Sequence, residues 1–388
     1  MAKKQNKQIN IAYLVIVSFV ALVVGIVAGF STLTIINLPK TDALEITEDV
    51  FYTNSASDGH NHNVSLENAD ISVHFLELGN KYTGDCTYIK TDTCDILIDC
   101  GSRSNSVSYV AEYLNQYITD GKIEYVIITH AHQDHYAGFA TTENVDSIFD
   151  LYECENIITF SQTNQKSTNK TYQNYQRELT AEIANGANHY TALECVNQTN
   201  GAQTTYNIGT NTTMTVLNSY YYTHEATTEN DYSVCTLFTC GDSNILLTGD
   251  LEKEGEEKLI ELNSLPKVEL YKAGHHGSKT SSSTALLDVI DPEVVCVCCC
   301  AGSPEYTKTV ANQFPTQEFI NNIAPHTDKV YVTTLCVNYN QNDFTSFNGN
   351  IICTFNSSGY NVICSNNNTK LKDSEWFKNN RTCPTAWQ

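Results

Sequence analysis

The sequence predicts an α/β protein built as an αββα sandwich, in which two mixed β-sheets are flanked by helices, with one N-terminal transmembrane helix in front. Three observations predict this architecture. From residue 71 onward, short apolar segments with strand periodicity alternate with helical segments, as they do in layered α/β folds. Several of these strands end in His or Asp side chains. A charge-free apolar run of membrane-spanning length lies near the N-terminus.

The N-terminal apolar run covers residues 11–36 and is long enough to cross about 30 Å of hydrocarbon. Lysines precede it and acidic residues follow it, so the positive-inside tendency places the N-terminus in the cytoplasm. We therefore predict a cytoplasmic stub and an uncleaved signal-anchor over residues 1–38, with a cleaved signal peptide as the alternative. Residues 39–70 are acidic and polar, and are expected to form a linker to an extracytoplasmic domain.

The chain is strongly acidic, with 44 acidic against 22 basic residues and a formal net charge of −22. This average field repels a polyanion such as DNA, so it argues against a nucleic-acid partner except through local basic patches. The 15 cysteines are an odd number, which leaves at least one thiol unpaired unless a bond is intermolecular. The run 296–300 is rich in cysteine and stands in an apolar stretch, where a buried strand is favoured over a metal cluster.

The main domain is expected over residues 71–365, with a C-terminal tail over 366–388. Segments of alternating or β-branched apolar residues predict its strands, which lie near 71–78, 86–90, 95–99, 124–129, 233–239, 244–248, 268–271 and 349–364. Segments with helical periodicity predict helices over 107–118, 171–185 and 252–262.

The most informative motif is the run 130–135, His-Ala-His-Gln-Asp-His, which directly follows the strand at 124–129. Imidazole nitrogens and carboxylate oxygens are ligands that Zn²⁺, Mn²⁺ and Fe take in proteins. In an extended chain His130 and His132 point to the same side, so both can bind one ion. After a turn, Asp134 and His135 can face a neighbouring ion. The alternative, a polar loop that is His-rich by chance, is disfavoured by four ligand-type residues in six positions.

Other ligand-type residues also follow predicted strands. These residues are Asp99, Asp250 and the pair His275-His276. A lone Asp after a strand is usually a turn-forming residue. Ligand sites in α/β sheets, however, collect at the carboxyl ends of strands. The joint occurrence of these residues with the run 130–135 therefore predicts a site for two metal ions.

The ordered set resembles the metallo-β-lactamase fold of hydrolases, whose signature is His-x-His-x-Asp-His followed by a later Asp and a later His. More narrowly, it is similar to the branch that contains the extracellular domain of ComEC-type competence proteins. The resemblance covers about residues 71–355. It is carried by residues 73–79, 84–85, 96–101 and 246–250, and above all by residues 272–282, Lys-Ala-Gly-His-His-Gly-Ser-Lys-Thr-Ser-Ser.

The resemblance implies a role for each ligand-type residue. Two divalent cations are implied, with Zn²⁺ preferred and Mn²⁺ or Fe as alternatives. His130 and His132 would hold the first ion, and Asp134 and His135 the second. Asp250 would bridge the ions with one carboxylate oxygen for each. His275 would complete the second site and is favoured over His276, which stays an alternative.

The remaining site residues are implied to act around the ions. Asp99 would orient a ligand histidine through a hydrogen bond, and Asp134 would also accept a proton in catalysis. The residues expected on the substrate side are His276, Ser278, Lys279 and Thr280. The stretch from Ser278 to Ser283 fits a helix N-cap equally well, and both roles are compatible.

The chain also departs from the family pattern. The wider fold often takes a further ligand for the first ion from a segment between Asp134 and Asp250, where only His189 and His224 are available. Both are expected to be surface histidines. The turn after Gly79 is longer than in the family, and a late Gly-His-Pro motif is replaced at residues 313–315 by Gln-Phe-Pro.

The predicted function is therefore that of a membrane-anchored, extracytoplasmic, dinuclear metal-dependent hydrolase that cleaves phosphoesters, with a phosphodiester favoured. A small phosphoester or a cell-surface polymer suits the acidic charge better than nucleic acid does. One alternative keeps the fold and replaces phosphorus with an acyl carbon, as in lactam or thioester hydrolysis. Another is a surface-binding module without catalysis, which has no need of so many ligand-type residues.

Overall fold

A computed structural model describes residues 64–142, 144–166 and 168–388. The predicted signal-anchor and most of the predicted linker lie outside these residues. Among the helices formed by the described residues, none has the length and apolar character needed to cross a membrane.

The strands come first because they position the site. In chain order they are β1 (Ile71–Phe75), β2 (Thr87–Thr91), β3 (Asp95–Ile98), β4 (Lys122–Ile128), β5 (Glu153–Thr159), β6 (Asn188–Thr191), β7 (Thr205–Gly209), β8 (Thr212–Val216), β9 (Thr236–Cys240), β10 (Ser243–Leu247), β11 (Leu270–Lys272), β12 (Val294–Ala301), β13 (Val330–Asn338), β14 (Asp343–Ser346), β15 (Ile351–Asn356) and β16 (Gly359–Cys364).

The α-helices lie between these strands and beyond the last one. In chain order they are α1 (Ser106–Leu114), α2 (Gln133–Tyr136), α3 (Ile148–Leu151), α4 (Lys170–Asn185), α5 (Ala192–Asn197), α6 (Lys253–Leu262), α7 (Thr284–Ile290), α8 (Gln317–Ile323) and α9 (Glu375–Asn380). Local signals fix several of their ends. The side chain of Asn169 accepts a hydrogen bond from the first turn of α4, and Ser283 does the same for α7.

Within the described residues, the strands form two eight-stranded sheets. The first sheet has the order β16-β15-β1-β2-β3-β4-β5-β6, and the second has the order β14-β13-β12-β11-β10-β9-β8-β7. In the first sheet β3 to β6 are parallel, and in the second β10 to β13 are parallel, whereas the outer pairs are antiparallel. Both sheets are therefore mixed, and the predicted two-sheet α/β architecture is confirmed.

The apolar core has two parts. One cluster contains side chains of both sheets, including Val73 and Phe238, together with Val107 of α1 and Tyr175 of α4. The other cluster packs the second sheet against α6, α7 and α8. Residues 366–388, expected as a tail, add α9 to the second cluster and bury Phe377 and Trp387 there.

The cysteine-rich strand β12 is buried on both faces, as predicted. Cys296 and Cys298 belong to the cluster shared by the two sheets, and Val297 and Cys299 belong to the cluster under the helices. This alternation follows from the two-residue period of a strand. The cysteines of the chain are free thiols, and no cysteine joins the histidine cluster in the described part of the chain.

Candidate metal centre

The predicted ligand-type residues converge where strands of the two sheets end. Asp99 follows β3, and the run 130–135 follows β4, in the first sheet. Asp250 follows β10, and the histidine pair follows β11, in the second sheet. Each sheet thus contributes one half of the cluster, and the strand order of the sandwich brings the halves together.

The carboxylate of Asp250 is the centre of the cluster. Its Oδ2 lies 3.1 Å from Nε2 of His135 and 3.2 Å from Nε2 of His276. Nε2 of His130 and Nε2 of His275 each lie 4.0 Å from the same oxygen. Four imidazoles therefore surround a single carboxylate oxygen. This differs from the expected bridge with one oxygen for each ion, because Oδ1 faces away from the histidines, towards Lys272 at 3.6 Å.

The other two residues of the run 130–135 flank this carboxylate. Nδ1 of His132 lies 3.0 Å from Nε2 of His130. Oδ2 of Asp134 lies 3.6 Å from Nε2 of His276 and accepts a hydrogen bond of 2.7 Å from the hydroxyl of Tyr306. Both side chains thus lie beside the imidazoles that surround Asp250.

Asp99 is fully engaged in orienting the run. Its carboxylate accepts hydrogen bonds from the backbone N–H of Thr129 at 2.8 Å and from the Thr129 hydroxyl at 2.7 Å. Nδ1 of His135 lies 2.7 Å from the same carboxylate, which leaves Nε2 of that ring directed at Asp250. Asp99 is therefore placed to fix the tautomer and orientation of His135.

The histidine pair differs from the expectation in its division of roles. His276 was expected mainly on the substrate side, yet it is 1% exposed and its Nε2 lies within the cluster. The side chain of His275, the favoured ligand, is 21% exposed and its Nε2 lies farther from Asp250. Both residues have left-handed backbone angles, with φ of 47° and 57°. This bent backbone directs both imidazoles to one side, which an extended chain would not do.

Two site residues were missed by the sequence analysis. Asp85 is 2% exposed, and its Oδ1 lies 3.1 Å from Nδ1 of His276. Lys272 is also 2% exposed and forms an ion pair with Asp85. Both residues stand in the segments that carry the family resemblance, and that position was the available signal. Together with His135, Asp250 and His276, Asp85 offers ligand atoms that all lie within 4.8 Å of one another.

Two glycines allow the loops of the first sheet to close on the run 130–135. A Cβ at Gly101 would lie 1.6 Å from the backbone oxygen of Asp134, and one at Gly84 would lie 2.8 Å from that oxygen. The backbone N–H of Asp85 donates to this oxygen at 3.0 Å. The position of Asp134 therefore depends on a close backbone approach that a side chain would prevent.

The pKa shifts within the cluster show how the charges of its side chains offset one another. Burial opposes the charged form of His135 and His276, but the neighbouring carboxylates, led by Asp250, outweigh it and raise the pKa of both imidazoles. Burial likewise opposes ionisation of Asp250, yet the surrounding histidines hold the pKa of its carboxyl well below the usual range. Burial and the charge of His135 lower the pKa of His130. Protonated imidazoles thus offset the negative charge of the carboxylates. A bound cation would offset the same charge and displace these protons.

The donor set fits divalent metal ions. Nε2 of His276 in the ring of imidazoles and Oδ1 of Asp85 beside it are buried and have no hydrogen-bond partner among the described residues. Buried polar atoms without partners are costly, and they are common where an ion supplies the missing contact. Imidazole nitrogen and carboxylate oxygen are the ligand types of Zn²⁺, Mn²⁺ and Fe²⁺.

The expected substrate-side residues lie on the His275 side. The hydroxyl of Thr280 is 2.9 Å from Nδ1 of His275 and 3.0 Å from the hydroxyl of Ser278. Lys279 and Thr280 line a cavity of about 450 Å³, together with Asp231 and Glu252. Phe314, from the segment that departs from the family motif, packs its ring 5.8 Å from the rings of both His275 and His276.

The two histidines between Asp134 and Asp250 do not join the cluster. The ring Nε2 of His189, on β6, pairs with the hydroxyl of Thr159 at 2.9 Å. His224 is exposed and stacks on Tyr220, with ring centroids 3.7 Å apart. The wider fold often takes a further ligand for the first ion from this segment. Among the described residues, the imidazole best placed to serve as that ligand is His275, whose Nε2 lies 4.0 Å from Oδ2 of Asp250.

Comparisons with known proteins identify a family and several relatives that this chain resembles. The Metallo-beta-lactamase superfamily profile matches residues 79–141. Recombination protein 2 of Haemophilus influenzae is 39% identical over 69 residues, which are 18% of this chain and 8% of that protein. Competence protein ComA of Neisseria gonorrhoeae is 32% identical over 108 residues, which are 28% of this chain and 15% of that protein. The similarity therefore spans only a small part of these relatives.

Among solved structures, the metallo-beta-lactamase fold protein YhfI from Bacillus subtilis is similar with a TM-score of 0.40 and 13% identity, over 68% of this chain and 96% of that one. The family profile covers residues 84–85, 96–101 and 130–135, which the sequence analysis had singled out. The resemblance to the metallo-beta-lactamase superfamily, over residues 79–141, and the likeness to competence proteins were both expected from the sequence and are confirmed.

Proposed function

We propose that this chain is a metal-dependent phosphodiesterase of the metallo-β-lactamase fold. The observation that carries the proposal is the ring of four imidazoles around Oδ2 of Asp250, drawn from both sheets. A structural role alone does not explain this ring, because it leaves buried polar atoms without hydrogen-bond partners. Binding of divalent cations does explain it.

The residues around Asp250 would be divided between two ions. His130, His132 and His275 would hold one ion, and Asp134, His135 and His276 would hold the other. Divalent cations in such a site lower the pKa of bound water and neutralise the charge that develops on ester oxygens. The chain's own contribution is orientation, since Asp99 fixes the ring of His135 and Tyr306 holds Oδ2 of Asp134.

Two features favour a phosphoester as the substrate. The hydroxyls of Ser278 and Thr280 lie beside His275, where they can donate hydrogen bonds to phosphate oxygens. The curated relatives are named as competence and recombination proteins, which suggests phosphodiester chemistry rather than lactam chemistry. The acidic charge of this chain favours a small ester or a cell-surface polymer over long nucleic acid.

The test measures metal content and turnover in the same samples. The full chain, solubilised in detergent and loaded with Zn²⁺ or Mn²⁺, should hold close to two ions by elemental analysis and should hydrolyse bis-p-nitrophenyl phosphate. Asp250→Asn should lose both properties, because a carboxamide is a much poorer cation ligand. Asp288→Asn, at an exposed carboxylate on α7, is the matched control and should change neither.

Other outcomes would replace the proposal. Hydrolysis of nitrocefin without hydrolysis of the phosphodiester would favour the acyl-transfer alternative. A folded wild-type chain that binds no metal after reconstitution would favour the non-catalytic binding module.

We also propose that residues 11–36 anchor the chain in the membrane with the hydrolase domain outside. The support is the length and charge-free character of this run and the lysines before it. Alkaline carbonate extraction of membranes should leave the chain in the pellet, and protease added to spheroplasts should degrade the domain. Release into the carbonate supernatant would contradict the anchor.

A further inference from the structure

Two aromatic rings lie against the candidate metal centre. Both come from the segment between β12 and α8, and they belong to Tyr306 and Phe314. The ring centroid of Phe314 lies 5.8 Å from the ring centroids of both His275 and His276. The hydroxyl of Tyr306 donates a hydrogen bond of 2.7 Å to Oδ2 of Asp134. The two rings are 5.5 Å apart, so they form a continuous aromatic wall (Tyr306 and Phe314) beside the candidate ligands.

The aromatic wall faces solvent although it contacts the centre. Tyr306 is 56% exposed, and Phe314 is half-buried. An aromatic ring that faces water forgoes the favourable burial of a large apolar surface, and exposed rings beside a few polar groups are typical of ligand sites. An ester bound at the centre would cover this surface with one of the groups attached to its phosphorus.

Phe314 also departs from the family pattern at a position close to the ligands. The late Gly-His-Pro motif of the family is replaced at residues 313–315 by Gln-Phe-Pro. A His side chain can exchange a hydrogen bond with a polar group of a substrate, whereas the side chain of Phe offers only an apolar ring. The part of the substrate that meets Phe314 should therefore be apolar and uncharged.

Hydrogen bonds fix the backbone around Phe314. Arg381 follows α9, is 8% exposed, and donates to the backbone oxygens of Gln313 at 2.7 Å and Pro315 at 2.9 Å. The backbone oxygen of Phe314 accepts a hydrogen bond of 2.8 Å from the N–H of Gly302. A surface that is fixed before a ligand arrives loses little conformational entropy on binding. The C-terminal residues, which were expected as a tail, thus help to build this side of the site.

We propose that the aromatic wall binds the alcohol portion of the substrate, and that this portion carries an aromatic ring. The inference deepens the proposed function and rests on it, because it assumes that a phosphoester binds at the candidate metal centre. A planar ring packed against Tyr306 and Phe314 would bury apolar surface and make an edge-to-face or offset ring contact. A short aliphatic group would cover less of the wall and has no π-system. The wall is therefore a determinant of substrate specificity.

The test compares two phosphonates that differ in one group. Benzylphosphonate and ethylphosphonate both carry a methylene in place of the ester oxygen, so neither has an ester bond to hydrolyse. Each compound is titrated calorimetrically into the full chain, solubilised in detergent and loaded with Zn²⁺, and the metal content of each sample is measured. Wild type should bind benzylphosphonate on the order of tenfold more tightly than ethylphosphonate.

Variants of the wall separate the ring contact from other effects. Phe314→Leu keeps an apolar side chain and should reduce the preference to about threefold or less, with metal content and affinity for ethylphosphonate close to wild type. Phe314→Tyr keeps the ring and should keep the preference. Tyr306→Phe loses only the hydrogen bond to Asp134 and should also keep it. Tyr220→Leu, at an exposed ring stacked on His224, is the matched control and should change neither affinity.

Two results would overturn the inference while the proposed function stands. One is equal affinity of metal-loaded wild type for the two phosphonates. The other is an unchanged preference in both Phe314→Leu and Tyr306→Leu, because the benzyl ring would then bind elsewhere. If circular dichroism shows that Phe314→Leu is unfolded, Tyr306→Leu, at an exposed side chain, decides the test. Wild-type protein that binds no metal, or that binds metal but neither phosphonate, would overturn the proposed function and this inference with it.

Discussion

His74 on β1 is a histidine enclosed by polar and aromatic groups of the first sheet and of α1. It is fully buried, with Nδ1 2.6 Å from the hydroxyl of Tyr113 and Nε2 2.7 Å from that of Ser72. Burial lowers the pKa of His74 to about 3, with a smaller contribution from the charge of Lys90. The ring is therefore neutral in the folded chain, whereas in the unfolded chain it takes up a proton near its ordinary pKa of about 6.5.

Stability should consequently depend on pH through His74. The contribution is complete above about pH 6.5 and is lost as the pH falls towards about 3, since only the unfolded chain gains the proton over that range. The expected loss is about 2 kcal/mol by about pH 5. Urea unfolding at several pH values should show this slope in wild type and a flatter one in His74→Gln. His224→Gln, at an exposed histidine, should keep the wild-type slope, and an equal slope in all three proteins would contradict the assignment.

For individual residues, the sequence predicted which side chains meet in the candidate metal centre, but not the role of each one. The run 130–135 and Asp250 are recognisable because several ligand types recur at strand ends. Which of two adjacent histidines faces inward depends on left-handed backbone angles at both, and residue types do not encode those angles. Asp85 joins the site through hydrogen bonds between loops that are far apart in sequence. Such contacts have no local signal.

The connection between β3 and α1 illustrates how an element positions a ligand. The backbone N–H of Cys100 donates to the oxygen of His135 at 2.7 Å, and that of Gly101 donates to the oxygen of Asp85 at 2.8 Å. Gly101 itself lies against the backbone of Asp134. This connection therefore holds the backbone of the run 130–135 in position, and we call it the template segment (residues 99–101).

Gly101→Ala should disrupt the template segment. The added Cβ would lie 1.6 Å from the oxygen of Asp134 and 2.3 Å from its carbonyl carbon, so the backbone must shift. We expect metal content to fall well below that of wild type by elemental analysis, together with a lower melting temperature. Gly121→Ala is the matched control. Its Cβ meets nothing within 4 Å, so only the positive φ of 79° should cost stability, at about 1 kcal/mol, with metal content unchanged. Normal metal content in Gly101→Ala would refute the template role.

Most helices and strands near the site could be predicted, because each shows a clear periodicity of apolar residues or a recognisable helix-capping residue. The strand expected at 124–129 is β4, and the helix expected at 171–185 is α4. The cysteine-rich β12 was predictable because its apolar run has no polar face. The pairing order of the sheets was not predictable from periodicity alone, because period indicates burial and not the neighbouring strand. The family resemblance implied two mixed sheets, and the structure gives their strand order.

The negative electrostatic field of the whole molecule should repel its proposed substrate, an anionic phosphodiester. The net charge of −22 repels anions at long range. Dissolved salt screens the long-range field, and it screens buried charges much less.

Raising the ionic strength from about 0.01 M to about 0.15 M should therefore increase kcat/KM for bis-p-nitrophenyl phosphate, at saturating metal. The zwitterionic ester p-nitrophenyl phosphorylcholine, which has no net charge, is the control and should change little. A decrease for the anionic ester would indicate that a local basic surface dominates its approach, in conflict with the composition-based argument.

The site is assembled from two sheets, and this has a consequence for dissecting the chain. The segment that matches the family profile, residues 79–141, contains the ligands of the first sheet and none of those that follow β10 and β11. An excised piece of that extent would retain the recognisable motif but only the half of the candidate metal centre that the first sheet contributes. Ions bound by residues of both sheets should link the two sheets. Their removal by a chelator should therefore lower the stability of the whole domain and not only of a single loop.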